Sequence, residues 1–570
     1  MVASTFPQTV GRRYLLHEQL GVGGMGAVYR ATDRLTGSTV ALKRVTVPTE
    51  QLTFTSRSGD TDLSLTLARE FKTLASLRRP HIISVLDYGF DEQRQPFFTM
   101  SLLENAQTIV AAGQGRDLAT QVDLLVQTLQ ALAYLHRRGV LHRDLKPGNV
   151  LVVDGQVKVL DFGVSVITSK TMEYVTQSTV GTVAYIAPEL FAGAPITRSS
   201  DLYAVGVMAY ELFAGQFPFS NANVAVLLND ILYKRIDVRT TGVRDELAVV
   251  LGRLLVKTRE ERYGDAYQVI RDLCRAAGQP LPPETVEIRE SYLQAARLVG
   301  REAELGQLTE VLNAALAGKG SAWLVGGESG VGKSRLADEL RALALVRGAL
   351  VLLGQAISEG GSPYQLWREV VRWLALTSDL EEREASVLKP LVPDIADLLG
   401  REVADAPLVD PRSAQRRLFG VMSEVVRRQS ESQPVVVILE DLQWARSDRL
   451  SLLERLSSIV AGLPLLMVGN YRDDERRGLP DDLPGMEVLR LERLNEAGVA
   501  ELSESMVGAV GRQPQVVDLL QRETEGNPFF LVEVMRALAE RERATWRRSG
   551  AWRCRKGSLP AGCRRWCGAA

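Results

Sequence analysis

Apolar and polar positions switch period several times along this chain, and each switch marks an element. "STVALKRV" alternates with the period of a strand and carries Lys43. "AVYRATD", just before it, is β-rich as well. In "TLAREFKTLASLRR" the apolar residues Leu67, Phe71, Leu74 and Leu77 recur at helical spacing, with Glu70 at the edge of that face. Further on, "SAWLVGG" and "PVVVILEDLQWA" are short continuous apolar runs, the pattern of strands buried on both faces. The second of these should lie beside the first. "PLLMVGNYRDDE" supplies a third such strand.

Between these patterned stretches lie two breaks. "TVPTEQLTFTSRSGDTDLSL", between Lys43 and Glu70, is polar and reads as a loop. "GQPLPPETVEIRES" is polar with three prolines and reads as a linker. At 570 residues the chain exceeds a single core, so several domains are expected. An apolar content of 45% and a net charge of -1 fit a soluble globular protein and give no general basicity for nucleic acid. No run of 18 apolar residues suggests a membrane span, and "MVASTFPQTVGRRYLL" lacks the apolar core of a secretory signal. Of the cysteines only Cys274 lies in the main body, which suits a reducing cytoplasm.

Chemistry enters with three glycines. Gly21-Val22-Gly23-Gly24-Met25-Gly26, followed by Val28, has G-x-G-x-x-G spacing. In a dinucleotide-binding turn these glycines open a helix. Here β-rich sequence follows, so the glycines should join two strands into a flap able to close on phosphates. Farther along, His142-Arg143-Asp144 precedes Lys146 and Asn149, Asp161-Phe162-Gly163 follows the strand-like "VKVL", and Ala187-Pro188-Glu189 comes later. In this order and spacing, residues 12–275 resemble a serine/threonine protein kinase.

The resemblance implies roles. Phosphoryl transfer needs in-line positioning and neutralised charge on phosphate oxygens. Asp144 would accept the substrate hydroxyl's proton, and Lys146 would sit against the transferring phosphate. Asn149 and Asp161 would hold magnesium ions on the ATP phosphates. Lys43 would grip the α and β phosphates, with Glu70 holding Lys43. Ala41, Val28 and the glycine flap would enclose the nucleotide, and backbone near Ser101 to Leu103 would meet adenine. His142 would be a packing residue. Arg143 would read a phosphorylated segment rich in hydroxyls, with Thr176, Ser178 and Thr179 as acceptors, while Thr182 would be structural. Asp201 would brace the catalytic loop, and Arg262 would pair with Glu189.

The second half carries Gly327-Glu328-Ser329-Gly330-Val331-Gly332-Lys333-Ser334 between a strand and an amphipathic helix, the order of a P-loop. Backbone amides there cradle phosphates, Lys333 reaches the β and γ positions, and Ser334 binds magnesium. Glu440-Asp441 ends the second buried strand at the Walker B position, with Glu440 where Asp is usual, which predicts slow hydrolysis. Asn470 and Arg472 end the third strand, and Gly526-Asn527-Pro528 follows later. Residues 298–540 resemble AAA-type ATPase modules of the signalling NTPase (STAND) class.

The expected architecture is multidomain: a two-lobed α+β protein kinase fold, a linker over 276–297, then an α/β P-loop NTPase with a helical lid region. Residues 541–570, rich in Arg with Cys554, Cys563 and Cys567, have no period and read as a functionless, truncated tail. The implied cofactors are ATP and Mg2+. The implied partners are proteins bearing Ser or Thr, the chain itself included, and self-association is compatible with this. Neither direct nucleic-acid binding nor a membrane is expected. An alternative is a STAND regulator whose kinase lobe serves as a nucleotide-binding scaffold.

Overall fold

The computed structural model describes residues 9–23, 26–45, 80–91, 93, 95–137, 140–160, 183–220, 223–282, 298–358, 364–445 and 447–535. The chain forms two compact units that divide after Glu492.

The first unit opens with a six-stranded antiparallel sheet in the order β1-β2-β3-β4-β6-β5. Its strands are β1 (Thr9–Val10), β2 (Tyr14–Gly23), β3 (Gly26–Asp33), β4 (Thr39–Val45), β5 (Val85–Phe90) and β6 (Pro96–Ser101). The β2–β3 pair runs up to Gly23 opposite Gly26, so the glycines do join two strands and open no helix.

A helical body follows. The two-residue strand β7 (Gln107–Thr108) joins the hairpin of β8 (Val150–Val153) and β9 (Gln156–Val159). That hairpin closes on Asp154-Gly155, both at positive φ of 49° and 76°, the backbone a tight primed turn requires. Helix α1 (Leu118–Arg137) buries Val122, Leu125, Leu129 and Leu132, a stripe at helical spacing. Helix α2 (Arg198–Ala214) is apolar almost all round and is buried accordingly. It starts at a Thr197/Ser200 capping box and ends on Gly215 in the left-handed conformation. Gly206 in α2 allows a close approach of the segment carrying Leu254: a Cβ there would stand 2.8 Å from that of Leu254. Further helices of this body include α3 (Val224–Tyr233), α4 (Asp245–Leu254) and α5 (Ala266–Ala277).

Past residue 298 the sheet becomes parallel. β10 (Ser321–Gly327), β11 (Leu350–Gln355), β12 (Val435–Glu440), β13 (Leu465–Arg472) and β14 (Glu487–Arg490) order as β11-β12-β13-β10-β14. Alternate residues serve opposite faces. Leu324, Val437 and Met467 join one apolar cluster, and Trp323, Ile438 and Val468 join another. Both faces are covered, which explains the continuous apolar runs. The strand β12 does not lie beside β10 as the sequence suggested, because β13 pairs with both. Parallel strands are joined by long crossovers, so order along the chain does not fix order in the sheet. The helices that matter below are α6 (Lys333–Val346), which follows β10, and α7 (Arg368–Thr377).

The second unit, described from Arg493 to residue 535, contains the helices Glu496–Val507 and Pro514–Thr524. Gly526 sits there with its backbone against the Leu494 carbonyl, where a Cβ would collide. Asn527 is buried and its side-chain oxygen accepts from Phe529 N.

Candidate active site

The first site lies where the antiparallel sheet meets the helical body. Lys43 is only 7% exposed on β4, opposite Val28 on β3 and Phe98 on β6, with its ammonium 5.9 Å from the Phe98 ring centre. Ala41, also on β4, is buried and faces Met100. Val22 of the flap is 72% exposed. Ser101 ends β6, its amide given to Ser84 O, and Leu102 and Leu103 follow half-buried.

The loop from His142 to Asn149 brings its polar groups together. Lys146 Nζ donates to Asp144 Oδ2 at 2.8 Å. Asn149 Nδ2 donates to the Asp144 carbonyl at 2.7 Å and to its Oδ2 at 3.1 Å. Arg143 holds a φ of 71°, uncommon for a non-glycine residue and characteristic of working sites. Asp201 on α2 holds it there: its carboxylate accepts from His142 N at 2.9 Å and from Arg143 N at 3.0 Å. The His136 ring meets the same carboxylate at 2.7 Å. Burial disfavours the Asp201 charge, but the His136 contact and the His142 amide outweigh it and hold its pKa below the usual value. His142 itself is buried, its Nε2 at 2.9 Å from Leu160 O, as a packing residue should be. Arg262 grips Glu189 bidentately at 2.9 and 2.8 Å.

Glu70, Asp161, Gly24, Met25, Thr176, Ser178, Thr179 and Thr182 lie outside the described residues, as does the tail.

The second site sits at the carboxyl edge of the parallel sheet. After β10 the chain turns through Gly327, Gly330 and Gly332, at φ of 155°, 83° and 103°. Only glycine takes such angles freely. A Cβ on Gly327 would also strike Leu491 O at 2.7 Å. Gly332 caps α6 without any side-chain bond, so the first-turn amides are left to the loop. Lys333 is buried and donates to Gly327 O and Glu328 O, both at 2.7 Å. Burial and then the Arg472 charge push its pKa down, while Asp474, Asp473 and Asp441 pull it up. Ser334 is exposed on the first turn of α6.

Facing this loop, Glu440 ends β12 and Asp441 follows at a φ of 58°. Asn470, on the adjacent β13, joins the two: its Oδ1 accepts Asp441 N at 2.9 Å and its Nδ2 donates to Glu440 Oε1 at 3.3 Å. Burial, then the Asp338 and Asp441 charges, raise the Glu440 pKa. Asp441 also accepts from Gln355 and Gln443, each at 3.1 Å. Neither glutamine was anticipated from sequence. Gln443 could have been, since it stands two residues past the acid pair. Gln355 comes from the far end of β11 and left no local sign. Arg472 lies over the Trp444 ring and pairs with Glu475 at 2.6 Å.

Residues 14–274 match the family model of the protein kinase domain, and residues 297–468 match that of the AAA ATPase domain. The chain carries a protein kinase domain followed by a AAA ATPase domain. The kinase portion is similar to bacterial proteins. It is 38% identical over 261 residues to a DNA damage-responsive serine/threonine-protein kinase of Deinococcus radiodurans, covering 44% of this chain and 37% of that one. A probable serine/threonine-protein kinase of Bifidobacterium longum is 30% identical over 319 residues, 53% of this chain and 41% of that protein. The serine/threonine-protein kinase PknB of Mycobacterium leprae is 30% identical over 295 residues, 50% and 46% of the two chains. This chain therefore spans less than half the length of these relatives. Among the described residues no helix is long and apolar enough to cross a membrane.

Proposed function

We propose that the protein is a serine/threonine protein kinase, acting on protein Ser and Thr hydroxyls including its own, with a second nucleotide site in its AAA ATPase domain. The observation that carries this reading is the cluster in which Asp144, Lys146 and Asn149 meet within 3.1 Å, together with the burial of Lys43 on β4. The relatives named as kinases support it over the scaffold alternative.

In the proposed reaction the substrate oxygen attacks the γ-phosphorus of ATP, the bond to the β–γ bridging oxygen breaks, and ADP departs. Asp144 orients the hydroxyl and takes its proton. Lys43 and Lys146 set positive charge against the phosphates. The donor set suits magnesium at both sites: a side-chain oxygen of Asn149, with Asp161 by family resemblance, and Ser334 with Glu440 and Asp441 in the ATPase domain. Magnesium, when bound, neutralises charge on the phosphate oxygens. The low exposure of Lys333 and the uncapped amides of α6 fit a phosphate cradle. A reducing compartment, the cytoplasm, fits the free, buried Cys274.

Incubating the full chain with labelled ATP and mapping the label tests this. Phosphate on Ser or Thr of an acceptor protein, and on Thr176, Ser178 or Thr179 of the chain, is the expected result. No label on any protein, with wild-type ATP binding intact, would overturn the reading.

A further inference from the structure

Two turns into α6, Arg341 Nη2 donates to Asp87 Oδ1 at 2.9 Å. Asp87 belongs to β5 of the kinase sheet, so this bond crosses from one domain to the other. It is one part of a wider seam. Asp87 also pairs with Arg13 at 2.5 Å, and Arg13 is forked onto Asp33 through two bonds of 2.7 Å. The Arg13 guanidinium is flanked by the Tyr14 ring at 4.8 Å and by Trp373, on α7 of the ATPase domain, at 5.0 Å. The β3–β4 turn reaches across as well. Leu35 is 6% exposed within the apolar cluster of Trp367, Leu374 and Leu398. Arg34 donates to Leu398 O at 2.5 Å, Arg372 donates to Leu35 O, and Arg12 donates to Thr377 O at 2.8 Å.

We propose that this seam is a fixed docking face and that it links the two nucleotide sites, so that occupancy of the P-loop sets the kinase's handling of ATP. The inference rests on reading both sites as nucleotide sites. The path is short at both ends. Arg341 stands eight residues from Lys333 on one rigid helix, roughly 12 Å along its axis at 1.5 Å per residue. At the other end, Asp87 lies opposite Thr99 on β6, two residues before Ser101, and Phe98 on β6 lies opposite Lys43. One rigid helix would then carry a nucleotide-dependent contact from the P-loop at its first turn to Asp87 at its third turn. Such a contact is the requirement for coupling, and coupling is reciprocal.

The test uses the full chain, with kcat/KM for ATP measured on myelin basic protein as a generic acceptor. Four proteins are compared: wild type, Lys333→Ala, Arg341→Ala and the double variant. Loss of fluorescent-ADP binding at the P-loop in Lys333→Ala is established first. Coupling of ordinary size predicts that Lys333→Ala shifts kcat/KM by at least ~5-fold. In the Arg341→Ala background the same substitution should shift it by less than about 1.5-fold, and Arg341→Lys should restore most of the difference, because it keeps a charge for Asp87. An equal shift in both backgrounds, or no shift with Arg341 intact, overturns the proposal. Arg341 is 28% exposed, so its truncation is compatible with folding.

If no phosphoryl transfer occurs in any protein, the kinase reading fails by itself and hydrogen exchange still decides the linkage. ADP should alter exchange over residues 85–90 in wild type. Part of that change should vanish in both Lys333→Ala and Arg341→Ala. An identical ADP response in all three proteins would refute the linkage.

Discussion

The carboxylate of Asp201 holds the backbone amide of Arg143 at 3.0 Å, and Arg143 is the residue of the catalytic loop at a positive φ of 71°. A left-handed conformation at an arginine costs on the order of 1–3 kcal/mol and persists only where its surroundings impose it. Here the imposing group is a buried carboxylate on α2, itself met by His136. Asp144 follows Arg143 directly, so its position depends on this brace.

Replacing Asp201 by Ala leaves two buried amides and the His136 ring without their acceptor. Removing one partner of a buried charged network costs about 3–5 kcal/mol. The variant should unfold at markedly lower urea and lose most phosphoryl transfer. The wild type carries an acid signature of the same contact. The Asp201 pKa is held below its ordinary 3.8 in the folded state, so its stabilising contribution is complete above that value and fades as pH falls through and below it. In Asp201→Asn that part of the acid dependence should be absent. Urea titrations of both proteins between about pH 3 and pH 6 would show it, and parallel curves would count against the brace.

Asp144→Asn should separate chemistry from binding. The carboxylate touches Lys146 and Asn149, and in the proposed reaction it acts on the hydroxyl rather than on ATP. Transfer should fall by about 10²–10⁴-fold, with ATP affinity in the kinase cleft nearly unchanged. Lys43→Met should also abolish transfer, through lost phosphate positioning. A rate assay beside a nucleotide titration gives both answers, and full activity in Asp144→Asn would sink its assignment.

How much of this was written in the sequence depends on the range of the interaction. Lys43, Asp144 and Asn149 sit on a strand and a tight loop whose local patterns announce them. The pairing of Arg262 with Glu189 and the Asp201 brace were legible through the family motif alone, since their partners lie 73 and 58 or 59 residues away. Leu35 shows the opposite case. In the turn "TDRLTG" it is buried because another domain covers it, and no periodicity within the turn records that. The place of β13 between β10 and β12 was hidden for a related reason: a crossover leaves the order of parallel strands open.

Asn470 makes a second test of the ATPase site. It satisfies Asp441 N, at a residue of positive φ, and steadies Glu440. Asn470→Ala should slow any ATP hydrolysis while weakening nucleotide binding only slightly, because Asn470 touches the acids and not the glycine loop. Lys333→Ala should do the reverse, weakening binding strongly. Hydrolysis should be slow even in the wild type, since Glu440 replaces the usual Asp. Nucleotide titration and phosphate release, run in an Asp144→Asn background to silence the kinase, would distinguish the two variants. Equal loss of binding in both would show that Asn470 belongs to the cradle itself.

Lys257 carries a prediction about alkaline pH. Its ammonium lies half-buried over the Phe219 ring at 5.0 Å, with Asp230 O at 3.3 Å as acceptor. Burial, and then repulsion from Arg262, bring its pKa down from 10.5 to about 8. The sign follows from proton counting. Between about 8 and 10.5 the unfolded chain keeps a proton on Lys257 that the folded chain has released. Stability therefore rises with pH across that window, and below it the full cost of burying the charge is present. Lys257→Met keeps the apolar stem against Phe219 and removes the charge. The variant should melt higher than the wild type at about pH 7, and the gap should close as pH approaches about 10. Paired melting curves at fixed ionic strength check this. A gap that stays constant with pH would mean that the ammonium is solvated and that any gain comes from packing.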